Sequence, residues 1–340
     1  MSLLLALAAA SAAAAAAPSP AAAAELFHEW VVGCDNGGAC TAVALADTAS
    51  LDRPVTMAVT VPAGGGGEPD VRIRFWDGDG ASVRIDGTLF ALAAAKDAEG
   101  VAVLRPERPR EFLQAVRTGR DALLLDAAGQ ELGRLSTQGA TAALLRIDDR
   151  QGRIGTVTAF VRPGPKGPEA VPAARPLPTV RAAPLSTAAP RPFSEAEAER
   201  VRAQLCEEMG LEPEEWGEIE VSRLDAAHSL ALVPSRCWSG AYNIGTLLLV
   251  AKDAGPWVPA ALDLPPNPDA EGMEKSILFN PWWESGRLET FFKGRGLGDC
   301  GTREAFVWDG ARFRLVARDD MPECRGATDL VPLFRAEVRR

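Results

Sequence analysis

A chain of 340 residues with 47% apolar side chains is long enough for two domains, each with its own core. Its formal net charge of −10 repels phosphate backbones and anionic lipid, so nucleic acid and membrane surfaces are excluded as expected partners.

The first 24 residues carry no charged side chain. Met1 to Leu5 lead into an alanine-rich stretch, then Pro18, Pro20 and Ala21 to Ala24. That order predicts a signal peptide over 1–24, cut after Ala24, and a periplasmic or secreted mature protein. Two prolines and the weak hydrophobicity of alanine argue against a retained anchor, and no membrane insertion is expected after cleavage. Residues 25–161 read as a β-rich, sandwich-like domain. Val71 to Phe75 and Ser82 to Gly87 alternate in polarity and predict a hairpin around Asp77 to Gly80. Ala122 to Leu125 and Glu131 to Leu135 predict a second hairpin. Ala140, Ala143, Leu144 and Ile147 recur at helical spacing and predict a single helix packed on the sheet.

Residues 162–192 contain nine prolines, from Pro163 to Pro192. That density favours extended polyproline II and predicts a semi-rigid spacer that buries little. Each half is then expected to fold alone when cut near Pro176, with proteolysis starting between Arg162 and Arg191. Residues 193–340 open with Ser194 and Glu197 in a capping box, predicting a helix to about Met209 that stops at Gly210, with Val201 and Leu205 inward. Strands are expected over Ala241 to Val250, Ile277 to Phe279, Leu288 to Phe292, Ala305 to Trp308 and Phe313 to Ala317. The last two flank Asp309-Gly310, a hairpin signal. The fold class is therefore mainly β with a few helices (α+β), in two antiparallel β-rich domains.

Six cysteines in an exported chain predict disulfides. Pairing within domains forces Cys34 onto Cys40 and leaves three arrangements for the other four. The pairs nearest in sequence are Cys206–Cys237 and Cys300–Cys324, and these are the expected bridges.

Several motifs carry a resemblance. Trp30-Val31-Val32-Gly33-Cys34-Asp35-Asn36 with Cys40 is one. Cys237-Trp238-Ser239-Gly240-Ala241-Tyr242-Asn243 is the second. Lys293 to Cys300, Val307 to Gly310 and Pro322 to Arg325 form a third block. Together they resemble the uncharacterised bacterial family called domain of unknown function 1176. The first domain is also similar to invasion-associated locus B proteins, through Trp30, Cys34, Cys40, Phe112 to Gly119 and Leu135 to Leu145. The resemblance implies a periplasmic location and no established activity.

Chemistry-bearing patterns are sparse. His28 and His228 are the only histidines and read as surface or packing residues, with no G-x-S-x-G elbow to serve. Asp77-Gly78-Asp79-Gly80 lacks the further ligands of a calcium loop and reads as a turn. Lys293-Gly294-Arg295-Gly296-Leu297-Gly298-Asp299 exposes backbone amides between two cations. It reads either as an anion cradle or as a connection letting strands approach closely. Trp282 and Trp283 are adjacent, so a strand would turn them to opposite faces. The expected binding residues are Lys293, Arg295, Asp299, Arg236, Tyr242, Asn243, Trp282 and Trp283. No catalytic residue, metal or cofactor is expected. The leading expectation is a non-enzymatic periplasmic binding or interaction protein, with an envelope protein or a glycan as partner. The alternatives are a glycan hydrolase using paired carboxylates and a structural envelope protein without a small ligand.

Overall fold

The computed structural model describes residues 23–47, 54–76, 79–97, 100–207, 210, 217–263 and 272–340. The expected signal segment up to residue 22, Asp77, Gly78, Met209 and Trp216 lie outside the described residues. In the first half, ten antiparallel strands follow one hydrogen-bonded path. It runs Glu25–Phe27, Trp30–Cys34, Cys40–Ala44, Val55–Val61, Asp70–Phe75, Ala102–Pro106, Thr88–Lys96, Gly80–Ile85, Ala122–Asp126 and Glu131–Arg134. Alternate side chains point to one side, and the path curls to bury them together. Trp30, Val32 and Met57 from its beginning share a core with Val83, Phe90 and Leu124 from its end. A bridge between Ala46 and Leu135 links the two ends.

Two helices, α1 (Pro109–Thr118) and α2 (Ala140–Gln151), pack into this core. Only α2 was legible as a helix. In α1, Pro109 sits in the first turn, where its missing N–H is not needed, and Phe112, Leu113 and Val116 form a buried stripe. The hairpin expected around Asp77 to Gly80 is corrected. Asp70–Phe75 pairs with Val55–Val61 and Ala102–Pro106, whereas Gly80–Ile85 pairs with Thr88–Lys96 and Ala122–Asp126. The tight turn is at Asp86-Gly87, both with positive φ (45° and 89°), the conformation a two-residue hairpin loop requires. The hairpin joining Ala122–Asp126 to Glu131–Arg134 forms as expected.

The second half packs two five-stranded sheets face to face. One holds Glu220–Arg223, His228–Pro234, Gly245–Lys252, Val258–Pro259 and Ile277–Phe279. The other holds Trp282–Glu284, Arg287–Lys293, Gly301–Trp308, Phe313–Met321 and Val331–Arg335. Leu230, Leu232 and Leu248 meet Leu288, Phe306, Trp308 and Phe313 between the sheets. The intervening Ala231, Val233 and Leu249 face outward and are covered by Leu205 of α3 (Glu195–Glu207). The strand expected from Ala241 begins at Gly245 instead. The hairpin at Asp309-Gly310 forms, pairing Trp308 with Phe313.

The capping box closes α3. Ser194 Oγ accepts the Glu197 amide at 3.3 Å, and Glu197 Oε2 accepts the Ser194 amide at 2.9 Å. The hydrogen bond from Arg191, with the Ser194 amide, lowers the Glu197 carboxyl to about 2. A depressed carboxylate contributes stability above its unfolded value and loses it as pH falls through the folded one. Glu197→Gln is therefore expected to cost about 1 kcal/mol at neutral pH, discounted for partial exposure. That cost should shrink between about pH 4.5 and pH 2. Urea titrations of both proteins across that range check it.

All three expected bridges form, Cys34–Cys40, Cys206–Cys237 and Cys300–Cys324. The expectation that residues 162–192 bury little is corrected. Val171, Val180 and Ala182 are buried. Thr179–Arg181 pairs with Glu337–Arg339, and Val180 and Ala182 cover the outer face of the second sheet at Ala305, Val307 and Val316.

The halves share a further core. Val31, Val43, Leu45 and Ala58, on the outer face of the first half, pack against Met321, Ala327, Val331 and Leu333. Gly33 lies in this seam, where an added Cβ would stand 2.6 Å from Val331 and 2.7 Å from Leu333. Polar groups close the rim. Asn36 exchanges two hydrogen bonds with the Arg335 backbone, at 2.8 and 3.0 Å. Arg74 Nε donates to Asp329 at 2.7 Å, and Arg325 reaches Glu29 at 2.8 Å.

Candidate functional site

The glycine loop leaves strand Arg287–Lys293 where the two sheets of the second half meet. Asn243, just before strand Gly245–Lys252, acts there as a substitute peptide. Its Nδ2 donates to Lys293 O at 2.8 Å and its Oδ1 accepts the Lys293 amide at 2.9 Å. Asn280 adds a second clamp, donating to Asn243 Oδ1 at 3.0 Å and to Phe291 O at 2.8 Å. Its φ of 49° is one that Asn tolerates better than branched residues. Tyr242 lays its hydroxyl on Gly294 O at 3.2 Å.

The glycines serve close packing. A Cβ on Gly294 would stand 2.6 Å from Cys300 Sγ, and one on Gly301, at φ 125°, would stand 2.0 Å from Phe292 O. The amide of Gly294 donates to Cys300 O and that of Gly298 to Arg295 O. With the Lys293 amide on Asn243, three of the donors an anion cradle needs are engaged within the protein. Arg295 is likewise committed, its Nε donating to Asp299 at 2.7 Å. Burial pushes the Asp299 carboxyl up, but Arg295 and the Gly326 amide outweigh it and hold it below the usual range. The same hydrogen bond raises Arg295.

What the loop and the segments beside it present outward is largely apolar. Leu297 at its tip is 77% exposed, Phe292 48%, Tyr242 41% and Ile244 39%. Phe279 stacks edge-on against Phe292 at 5.1 Å, and Gly296 lies against the Tyr242 ring. Lys293 sits on the rim.

Lys293, Arg295, Asp299, Tyr242 and Asn243 are thus brought together. Arg236 lies in the short 3-10 turn Arg236–Trp238 that precedes them, exposed at its surface. Trp282 and Trp283 are not part of the group. Trp282 pairs with Glu289, four residues or roughly 13 Å up the strand from Lys293. They do face opposite ways. Trp283 packs on Phe313 at 6.1 Å, and Trp282 lines a separate cleft of about 350 Å³ with Glu284, Arg287, Glu289 and Arg340. Sequence reasoning missed Asn280, Ile244, Phe292 and Leu297. Asn280-Pro281 was a readable turn signal, but exposed apolar residues have no signature until the fold places them.

A model of the family described as Protein of unknown function (DUF1176) matches residues 24–331. The chain belongs to this family. The uncharacterized protein YpfG of Escherichia coli (strain K12) is 29% identical over 327 residues, covering 89% of each chain. The crystal structure of invasion associated protein b from Bartonella henselae matches 38% of this chain and 99% of that one, at 14% identity and a TM-score of 0.30. The residues by which this DUF1176 chain resembled its family are largely structural. Gly33 and Asn36 form the seam between halves, and Arg325 crosses it. Cys237 anchors α3, and Trp238 donates to Leu205 O at 3.2 Å. Tyr242, Asn243 and the glycine loop also reach an open surface.

Proposed function

We propose that this DUF1176 member is an exported, non-enzymatic interaction protein. On this reading it docks an apolar segment of another envelope protein on the face formed by Tyr242, Ile244, Phe292 and Leu297. One observation carries the reading. Leu297 on the glycine loop, Phe292 on the strand before it, and Tyr242 and Ile244 on the segment beside it stand exposed, where Asn243, Asn280 and the Cys300–Cys324 bridge tie these segments together. Rigid aromatic and aliphatic anchors lose little entropy on binding, and this is how interface hot spots are built. Three disulfides fit an oxidising compartment, and among the described residues no helix is long and apolar enough to cross a membrane.

The test is site-specific photo-crosslinking in intact cells. A photoreactive residue at position 297 should give an adduct of discrete mass, absent when it is placed at exposed Val157 in the other half. Phe292→Asp should reduce that adduct about tenfold, equivalent to about 1.4 kcal/mol. Equal adducts at 297 and 157, or none at 297, would count against the reading. A second reading places a glycan on Trp282, whose exposed ring has Glu284, Arg287 and Glu289 beside it for hydroxyl contacts. Saturable quenching of tryptophan fluorescence by cell-wall fragments, lost in Trp282→Ala, would favour it.

A further inference from the structure

On the other side of the same half, the turn before strand His228–Pro234 builds a dyad. The Asp225 carboxylate accepts the backbone amides of Ala227 at 2.8 Å and His228 at 2.7 Å, and the indole N–H of Trp308 at 2.7 Å. Its oxygens also stand 2.9 and 3.0 Å from His228 Nδ1. Burial pushes the Asp225 carboxyl up, but these donors outweigh it and hold the group below the usual carboxylate range. An ionised carboxylate only accepts, so Nδ1 carries the proton. Nε2, on the far edge of the ring, is left to face elsewhere, and among the described residues it has no hydrogen-bond partner. The ring itself is fixed against Trp308, centroid to centroid 5.3 Å.

His228 lines a pocket of about 370 Å³. Val250, Pro256, Val258 and Pro259 supply apolar walls. Lys252 also lines it, directly opposite His228 in the strand register, and is exposed. The other charges nearby are Arg223, Arg312, Arg314 and Asp253, whose amide donates to Ala227 O at 2.7 Å and whose side chain is exposed. Arg223 donates to Ser229 Oγ at 3.2 Å and to Ala226 O. Across the sheet interface, Arg312 and Arg314 pair with Asp263. The pocket therefore combines an apolar body with two nitrogen groups able to carry positive charge.

We propose that this pocket binds a small organic carboxylate with an apolar body. One carboxylate oxygen accepts from Nε2–H of the imidazolium, which Asp225 steadies from the opposite edge, and the other meets Lys252. The hydrocarbon part lies on the valine and proline walls. Charge-assisted hydrogen bonds from a pre-oriented ring favour the ionised head group over a neutral isostere. The site is separate from the Leu297 face and stands whether or not that face docks a partner.

The chain's two histidines make the test direct, because imidazole NMR signals distinguish His228 from His28. The full chain is titrated with each ligand at one fixed pH of about 6. Phenylacetate is expected to shift the His228 signals saturably, with a dissociation constant of about 1 mM or tighter, and to leave His28 unmoved. Phenylacetamide should bind about tenfold more weakly. Lys252→Met, at an exposed position, should keep the melting temperature and weaken phenylacetate by about the same factor. The absence of a saturable His228 shift would overturn the proposal. So would equal binding of acid and amide, or an affinity indifferent to Lys252.

Discussion

Gly33→Val is expected to destabilise the protein by about 3 kcal/mol and to shift the unfolding of both halves together. Strand Trp30–Cys34 is buried on both sides. Trp30 and Val32 point into the first half's core, and Val31 into the core shared with the second. A side chain at Gly33 would meet Val331 and Leu333 at 2.6 and 2.7 Å, inside a seam whose neighbours are themselves packed. Relief requires strand Val331–Arg335 to move, and with it Asn36, whose amide exchanges hydrogen bonds with Arg335. The chain offers a clean readout, because six of its eight tryptophans follow residue 200. Urea unfolding followed by tryptophan fluorescence thus reports the second half, while the substitution lies in the first. The expected result is one cooperative transition at lower urea. A fluorescence midpoint unchanged by Gly33→Val would mean that the halves unfold independently.

Asp225→Ala is expected to cost about 4 kcal/mol, the largest loss of any single polar substitution considered. The carboxylate serves two backbone amides, the Trp308 indole and the His228 ring, and removing it strands all four donors. Trp308 is the critical one. It lies between the sheets with Phe306 and Phe313, so losing the acceptor leaves a buried indole N–H unpaired within the protein. His228→Ala removes only one of the four partners and should cost about 1 kcal/mol. Comparing the two variants by equilibrium urea unfolding decides the matter. Equal losses would show that the ring, and not the carboxylate, organises the turn.

Much of the local structure was legible. The capping box at Ser194 and Glu197, α2 and the Asp309-Gly310 hairpin follow from rules that act over a few residues, and of the three arrangements that parity and the domain split left open for the later cysteines, the one that pairs nearest neighbours formed. Errors arose where a signal was ambiguous in range. Asp77 to Gly80 carries D-G turn chemistry, yet its flanking strands pair with other partners, and the two-residue hairpin formed at Asp86-Gly87. Helix α1 was missed because its buried stripe, Phe112, Leu113 and Val116, is short. At the candidate site, the residue group Lys293, Arg295, Asp299, Tyr242 and Asn243 was legible, but its chemistry was not. The glycines suggested free amides, and the amides of Lys293, Gly294 and Gly298 are used at home.

By itself, the sequence determined the class of the protein, the even count of cysteines that marks it for disulfides, and several of its short elements. These depend on alternation, capping and turn chemistry, which each stretch of chain carries locally. The tertiary structure alone decided three things. It turned the proline-rich segment from a spacer into cover for a sheet, because Val180 and Ala182 meet Ala305 and Val307 only when the distant ends of the chain come together. It joined the halves through Gly33, whose missing side chain matters only once Val331 and Leu333 lie over it. It also chose which apolar residues stay outside, since Phe292 and Leu297 look like core until every core position has been filled by something else.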